Sequence, residues 1–208
     1  ILFITIPSAV GFISMRTEIV RLLYERGEFT PHQTELTAYA LFFYSLGLFA
    51  HGVIQILPRG FYALKDTITP VKVSLVTVAL SVALNFLFLR LTPLQHGGLA
   101  LSFSLMGVAN MFLSLYLLRI KVGGLRSGQL VKTGLQSTMA ALGMALAIGL
   151  FLPVWNRFLT GLSLTKNLFR LLQVMGGVGV GVFVYLILAT ALRMDEIGLL
   201  KKIIRKNA

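Results

Sequence analysis

The chain alternates long apolar runs with short polar breaks that are mostly basic. Six apolar runs occupy residues 1–24, 36–57, 70–91, 98–118, 130–153 and 168–192. Each is close to or above the ~20 residues a helix needs to cross the hydrocarbon core of a bilayer. None alternates with period two, and all are much longer than the ~9–11 residue strands of a membrane barrel. The pattern predicts an all-α, polytopic transmembrane helix bundle: one transmembrane domain of six spans with a basic tail over residues 193–208.

The breaks carry their own signals. Residues 27–31 hold Gly27 and Pro31, which end the first run and turn the chain. Thr69 reads as a helix N-cap with Pro70 at the first helical position. Residues 58–70 form the most distinctive connection. Gly60 permits a bend, Phe61 and Tyr62 suit the membrane interface, and Asp66 or Thr69 can cap the next helix. Arg59, Gly60, Asp66 and Pro70 are its candidate conformational residues. The segment either fixes the geometry of two helices or acts as a hinge between states.

Composition sharpens this picture. Of 208 residues, 56% are hydrophobic and 12% charged, with a mean hydropathy of +0.85. A soluble core of that size cannot hide so much apolar surface. Without cysteine, disulfide and thiol chemistry are excluded. His32, His51 and His96 are far apart and near no acid cluster, so no metal site is expected. The net charge of +12 does not point to nucleic acid, because the basic residues lie mostly between apolar runs. With six spans, twelve of the nineteen Lys and Arg fall on the face that carries both chain ends, and seven on the other. That other face also holds Glu18, Glu25, Glu28 and Glu35. The positive-inside rule then places the C-terminus in the cytoplasm. Ile1 opens inside an apolar run with no basic leader region, and is read as a break within a longer protein.

Candidate chemistry is sparse. No acid lies in the middle of an apolar run, which argues against an intramembrane enzyme and against a proton relay through this segment. Ser81 and Asn85 share a helix face, and with Ser102 they form either interhelical hydrogen bonds or an oxygen-lined ion site. Arg16, Glu18, Arg21 and Glu25 form a charged cluster, which is either interfacial anchoring or a phosphate contact at the outer mouth. Gly177 and Gly181 make a small-residue face on the sixth run, and Gly143, Ala147 and Gly149 a similar one on the fifth. Such faces allow close helix approach or leave a groove for a lipid chain.

Several stretches carry a resemblance. Residues 7–11, 19–29 and 40–48, the loop from Arg59 to Pro70, and the segment from His96 to Ser102 are similar to the MurJ/MviN family. The resemblance implies the C-terminal lobe of a fourteen-span exporter fold of the multidrug/oligosaccharidyl-lipid/polysaccharide superfamily. It also implies movement of lipid II, an undecaprenyl-linked peptidoglycan precursor, across the bacterial inner membrane by alternating access against an N-terminal lobe. A tail groove would fall on the fifth and sixth runs, at Gly143, Ala147, Gly177 and Gly181. The family's head-group arginines match no residue here. Where some members bind sodium through an Asn and an Asp, this chain has Ser81 and Asn85, and lacks the acid. No cofactor is expected, the driving force being a monovalent cation or the membrane potential. The alternatives are an exporter of another lipid-linked oligosaccharide or of drugs, and a non-transporting scaffold for cell-wall synthesis.

Overall fold

The computed structural model describes residues 1–91, 96–124, 127–162 and 165–198. Eight α-helices are described: α1 (Leu2–Ser14), α2 (Arg16–Tyr24), α3 (Pro31–Ile54), α4 (Leu57–Ala63), α5 (Ile68–Leu91), α6 (His96–Val122), α7 (Ser127–Thr160) and α8 (Lys166–Ala191). Five are long and apolar enough to cross a membrane, and up to six spans result if the bent pair α1–α2 is one of them. The basic end of the tail, from residue 199 on, lies outside the described residues.

The first run is not one straight rod. α1 and α2 meet at Met15 with a bend of 76°. At ~1.5 Å per residue, α1 reaches about 20 Å, short of a bilayer core. The break has local causes. The Ser14 hydroxyl donates to the Val10 carbonyl at 2.8 Å, and the Arg16 guanidinium donates to the Ile13 carbonyl at 2.9 Å, supplying α1 with a C-terminal cap. Turning α2 aside carries Arg16, Glu18 and Arg21 off the axis of α1, while Val20 is buried.

α3 begins with a capping box. The Thr30 backbone N–H donates to Gln33 Oε1 at 2.8 Å, and the Gln33 N–H returns to Thr30 Oγ1, with Pro31 following the cap. The connection over residues 58–70, expected as a tight loop, contains α4, whose Phe61 is 1% exposed against α6. Its bend is not at Gly60. Gly60 lies inside α4 where a Cβ would meet Leu118 at 3.0 Å, so it serves close packing. The left-handed residue is Lys65, at φ 57°. The bonds Lys65 N–H to Tyr62 O and Asp66 N–H to Phe61 O close a Schellman turn there. Of the two residues expected to cap α5, it is Asp66 that accepts the Ile68 and Thr69 N–H groups, and Pro70 sits in the first turn. α7 runs past the expected end at Pro153 to Thr160. Pro153 lies inside α7, where it removes the hydrogen bond to the carbonyl of Gly149, four residues before it.

The helices pack as a row in the order α5, α6, α3, α1, α7, α8, with α2 bridging α3 to α8. Two apolar cores result. One joins Phe3, Met15, Met144, Ile148 and Tyr185 across α1, α7 and α8; the other joins Ala50, Phe61, Met111 and Leu118 across α3, α4 and α6. Much of the remaining surface is apolar and uncovered. Leu146, Leu150 and Val154, four apart on α7, are 70–77% exposed. A stripe of that kind suits hydrocarbon as solvent.

Candidate functional site

Three features stand out: an apolar groove, a polar seam and a charged pocket at one end of the bundle.

The groove follows from the row order. α1 and α8 both lean on α7 and leave a cleft of about 380 Å³ between them. Phe3, Pro7 and Phe12 line it from α1, Val182 and Leu186 from α8, and Met144 from α7. Tyr185 OH is satisfied by the Phe3 carbonyl at 2.7 Å, so the wall exposes almost no polar group. Of the four small residues expected to form a tail groove, Gly181 lines this cleft. Gly143 and Gly177 are covered instead: a Cβ would stand 2.5 Å from Leu188 Cδ1 at Gly143, and 2.3 Å from Met15 Cε at Gly177. Ala147 is half-buried on α7 and does not line the cleft. The groove was expected on the last two runs alone; its other wall is α1, which ends at Met15 where the charged stretch Arg16, Glu18 and Arg21 begins.

The seam joins α5 to α6. Ser102 Oγ lies against Asn85 Oδ1 and the Leu99 carbonyl. Two turns along, Asn110 Nδ2 donates to Thr77 Oγ1 at 2.9 Å, and Ser114 Oγ to Asn110 Oδ1. Ser81, half-buried one turn before Asn85, makes none of these bonds. Asn85 with Ser102 and Thr77 with Asn110 thus pair across the α5–α6 interface, as interhelical contacts in hydrocarbon favour. Ser104 extends the pattern to α3 by donating to the Phe43 carbonyl at 2.6 Å. No group of three or more His, Asp or Glu able to hold a metal occurs among the described residues.

The third feature centres on Glu25. Its Oε1 accepts from Arg170, and its Oε2 accepts from Arg21 at 3.3 Å and Thr34 at 3.0 Å. Arg170 also donates to the Glu25 carbonyl at 2.8 Å. One carboxylate therefore ties the end of α2 to the starts of α3 and α8. Beside it opens a pocket of about 460 Å³ lined by Arg21, Lys166, Phe169, Arg170 and Gln173. Arg16 and Glu18, grouped with Arg21 and Glu25 in the sequence, do not line it; Arg16 stands over the Phe42 ring at 5.7 Å.

At the opposite end of the bundle, Asp66 pairs with Lys121 at the end of α6 while capping α5. That ammonium, with the Thr69 contacts, holds the Asp66 carboxyl well below the usual carboxylate range, so the clasp stays ionised through neutral pH. Arg59 is exposed on α4 and takes no part in it. Of the four loop residues singled out, Asp66 is the one that links elements.

Comparison with known proteins adds the following. The profile of a family described as "Lipid II flippase MurJ" matches residues 1–169. A probable lipid II flippase MurJ of Rhizobium tropici is 37% identical over 119 residues, covering 56% of this chain and 22% of the relative. The lipid II flippase MurJ of Thermosipho africanus is 37% identical over 118 residues, covering 56% and 24%. A probable lipid II flippase MurJ of Thermotoga maritima is 28% identical across the whole of this chain and 38% of its own length. A solved structure, "Lipid II flippase MurJ, inward closed conformation", superposes with a TM-score of 0.73 at 28% identity, covering 94% of this chain and 37% of that one. The chain thus spans between about a fifth and two fifths of the length of these relatives.

Proposed function

The chain belongs to the lipid II flippase MurJ family, and on that premise we propose that it forms one lobe of a transporter that moves lipid II across the bacterial inner membrane. It does no covalent chemistry on its substrate. A diphosphate head group would cross in a polar cavity between this lobe and an N-terminal lobe, because its charge cannot cross hydrocarbon unaided. The undecaprenyl tail would remain in contact with lipid and lie in the groove between α1 and α8. Alternating access would then be a rocking of this lobe as a body. The positive-inside count orients the C-terminus, with the Asp66–Lys121 clasp, to the cytoplasm. The driving force proposed is the membrane potential or a gradient of a monovalent cation. The seam at Asn85 and Ser102 offers oxygens but no carboxylate to such a cation.

The single observation that carries this reading is the groove: a cleft of about 380 Å³, walled by apolar side chains and floored by α7, in a family whose relatives bear the name of lipid II flippases. Filling it tests the reading. In full-length protein, Val182→Trp should lower lipid II translocation in liposomes, and rescue of a flippase-depleted strain, by at least about tenfold, while membrane insertion is kept. Leu150→Trp, on the uncovered face of α7, should leave both unchanged. Full translocation by the Val182 variant at normal expression would remove the groove from the mechanism.

A further inference from the structure

We infer that the pocket beside Glu25 is a binding site for the phosphate of an anionic lipid head group. This goes beyond the transport reading and does not rest on it.

The charge balance is the first ground. Three cations, Arg21, Lys166 and Arg170, line the pocket against one carboxylate. That carboxylate is already occupied, since both Glu25 oxygens accept hydrogen bonds from Arg170, Arg21 and Thr34. The cations are not exhausted. A guanidinium has five N–H donors; Arg170 spends its bonds on Glu25 alone and Arg21 gives one. Lys166 meets no acceptor among the described residues. The pocket therefore holds more charged donors than its one carboxylate can take, which is the complement of a phosphate.

The second ground is Gln173. Its side chain lines the same pocket and makes no hydrogen bond among the described residues, and its amide is open to the pocket. Its amide N–H groups offer an oxyanion in the pocket two neutral donors beside the charged ones.

The third ground selects a lipid over a free ion. The pocket opens at the end of α7, between Leu159, Thr160 and Leu162. Directly below it Phe151, Trp155 and Phe158 stack in succession, and Trp155 Nε1 donates to the Leu172 carbonyl of α8 at 3.0 Å. An aromatic band with a satisfied indole N–H marks the level where hydrocarbon gives way to head groups. Phosphates of the surrounding leaflet lie at that height, and Lys166 and Arg21 are exposed enough to reach them.

The experiment uses full-length protein in a nonionic detergent at constant ionic strength. It is titrated with dihexanoyl phosphatidylglycerol, dihexanoyl phosphatidylcholine and sodium phosphate, with thermal stabilisation as the readout. Phosphatidylglycerol should saturate and stabilise; phosphatidylcholine, whose choline cancels the charge, should bind at least about tenfold more weakly. Lys166→Gln should weaken phosphatidylglycerol about tenfold, and Gln173→Leu about threefold. Lys166 is exposed and bears no contact that folding needs, so that variant decides the matter even if the Gln173 variant is unstable. Equal affinity in wild type and Lys166→Gln overturns the site. Saturation by sodium phosphate that blocks phosphatidylglycerol, with the same dependence on Lys166, overturns the lipid as its occupant. Loss of translocation in the groove variants bears on neither outcome.

Discussion

Gly47→Val should be the most destabilising single substitution in this chain. α3 and α6 cross with backbones in contact: a Cβ at Gly47 would lie 2.6 Å from Ser104 Cα, 2.7 Å from its Oγ and 2.8 Å from its Cβ. Backbone cannot yield as a flexible side-chain tip can, so the helices must separate. Separation breaks the Ser104 hydrogen bond to the Phe43 carbonyl and leaves that hydroxyl without a partner among apolar groups. It also loosens the core around Ala50 and Met111. Overpacking of this kind costs about 1–3 kcal/mol, and the orphaned hydroxyl a further ~1–3 kcal/mol. Gly47→Ala should retain part of the loss, offset by up to about 1 kcal/mol of helix propensity. Gly179, which has open space around it, supplies the control. Thermal unfolding in detergent should show a large downward shift for the Gly47 variants and almost none for Gly179→Ala.

Arg170→Met should be the second most damaging change. The Arg170 and Glu25 side chains are 18% and 14% exposed, so the pair is held largely out of water. Removing the arginine leaves Glu25 with the more exposed Arg21 and with Thr34, and frees the Glu25 carbonyl. Breaking such a pair from one side costs about 3 kcal/mol, whereas replacing both partners by apolar groups costs less. The double variant Glu25→Leu/Arg170→Met should therefore be more stable than Arg170→Met alone, with a coupling of at least about 1 kcal/mol in a double-mutant cycle. Strict additivity would show that α2 is held by its apolar side through Val20 and Met15 instead.

How far this was legible in the sequence differs by feature, for physical reasons. The helical, membrane-spanning class was legible because a bilayer imposes a minimum apolar length, and hydropathy measures length. The capping box at Thr30 and Gln33 confirms the turn read from residues 27–31, because capping depends on side chains within three residues of each other. The break at Met15 was only partly legible: the charges Arg16, Glu18 and Arg21 begin there, but Leu2–Ser14 and Arg16–Tyr24 read as one run, and the hydrogen bonds from Ser14 to Val10 and from Arg16 to Ile13 that end α1 leave no pattern in hydropathy. Gly60 was read as a bend because glycine permits one, whereas Lys65 takes the left-handed backbone and Gly60 makes room for Leu118. The charged pocket was half legible. Arg21 and Glu25 stand one helical turn apart, but Arg170 and Gln173 come from a helix almost 150 positions later. No local pattern announces a meeting at that separation.

We propose that the cleft between α1 and α8 holds a polyprenyl chain. This is tested most directly by placing a photoreactive benzoylphenylalanine at Val182 of the full-length protein in cells, irradiating, and identifying the adducts by mass spectrometry. Undecaprenyl-linked adducts are expected at Val182 and not at Leu150, where ordinary phospholipid should be captured. The same phospholipid adducts at both positions, with no polyprenyl species at Val182, would contradict it.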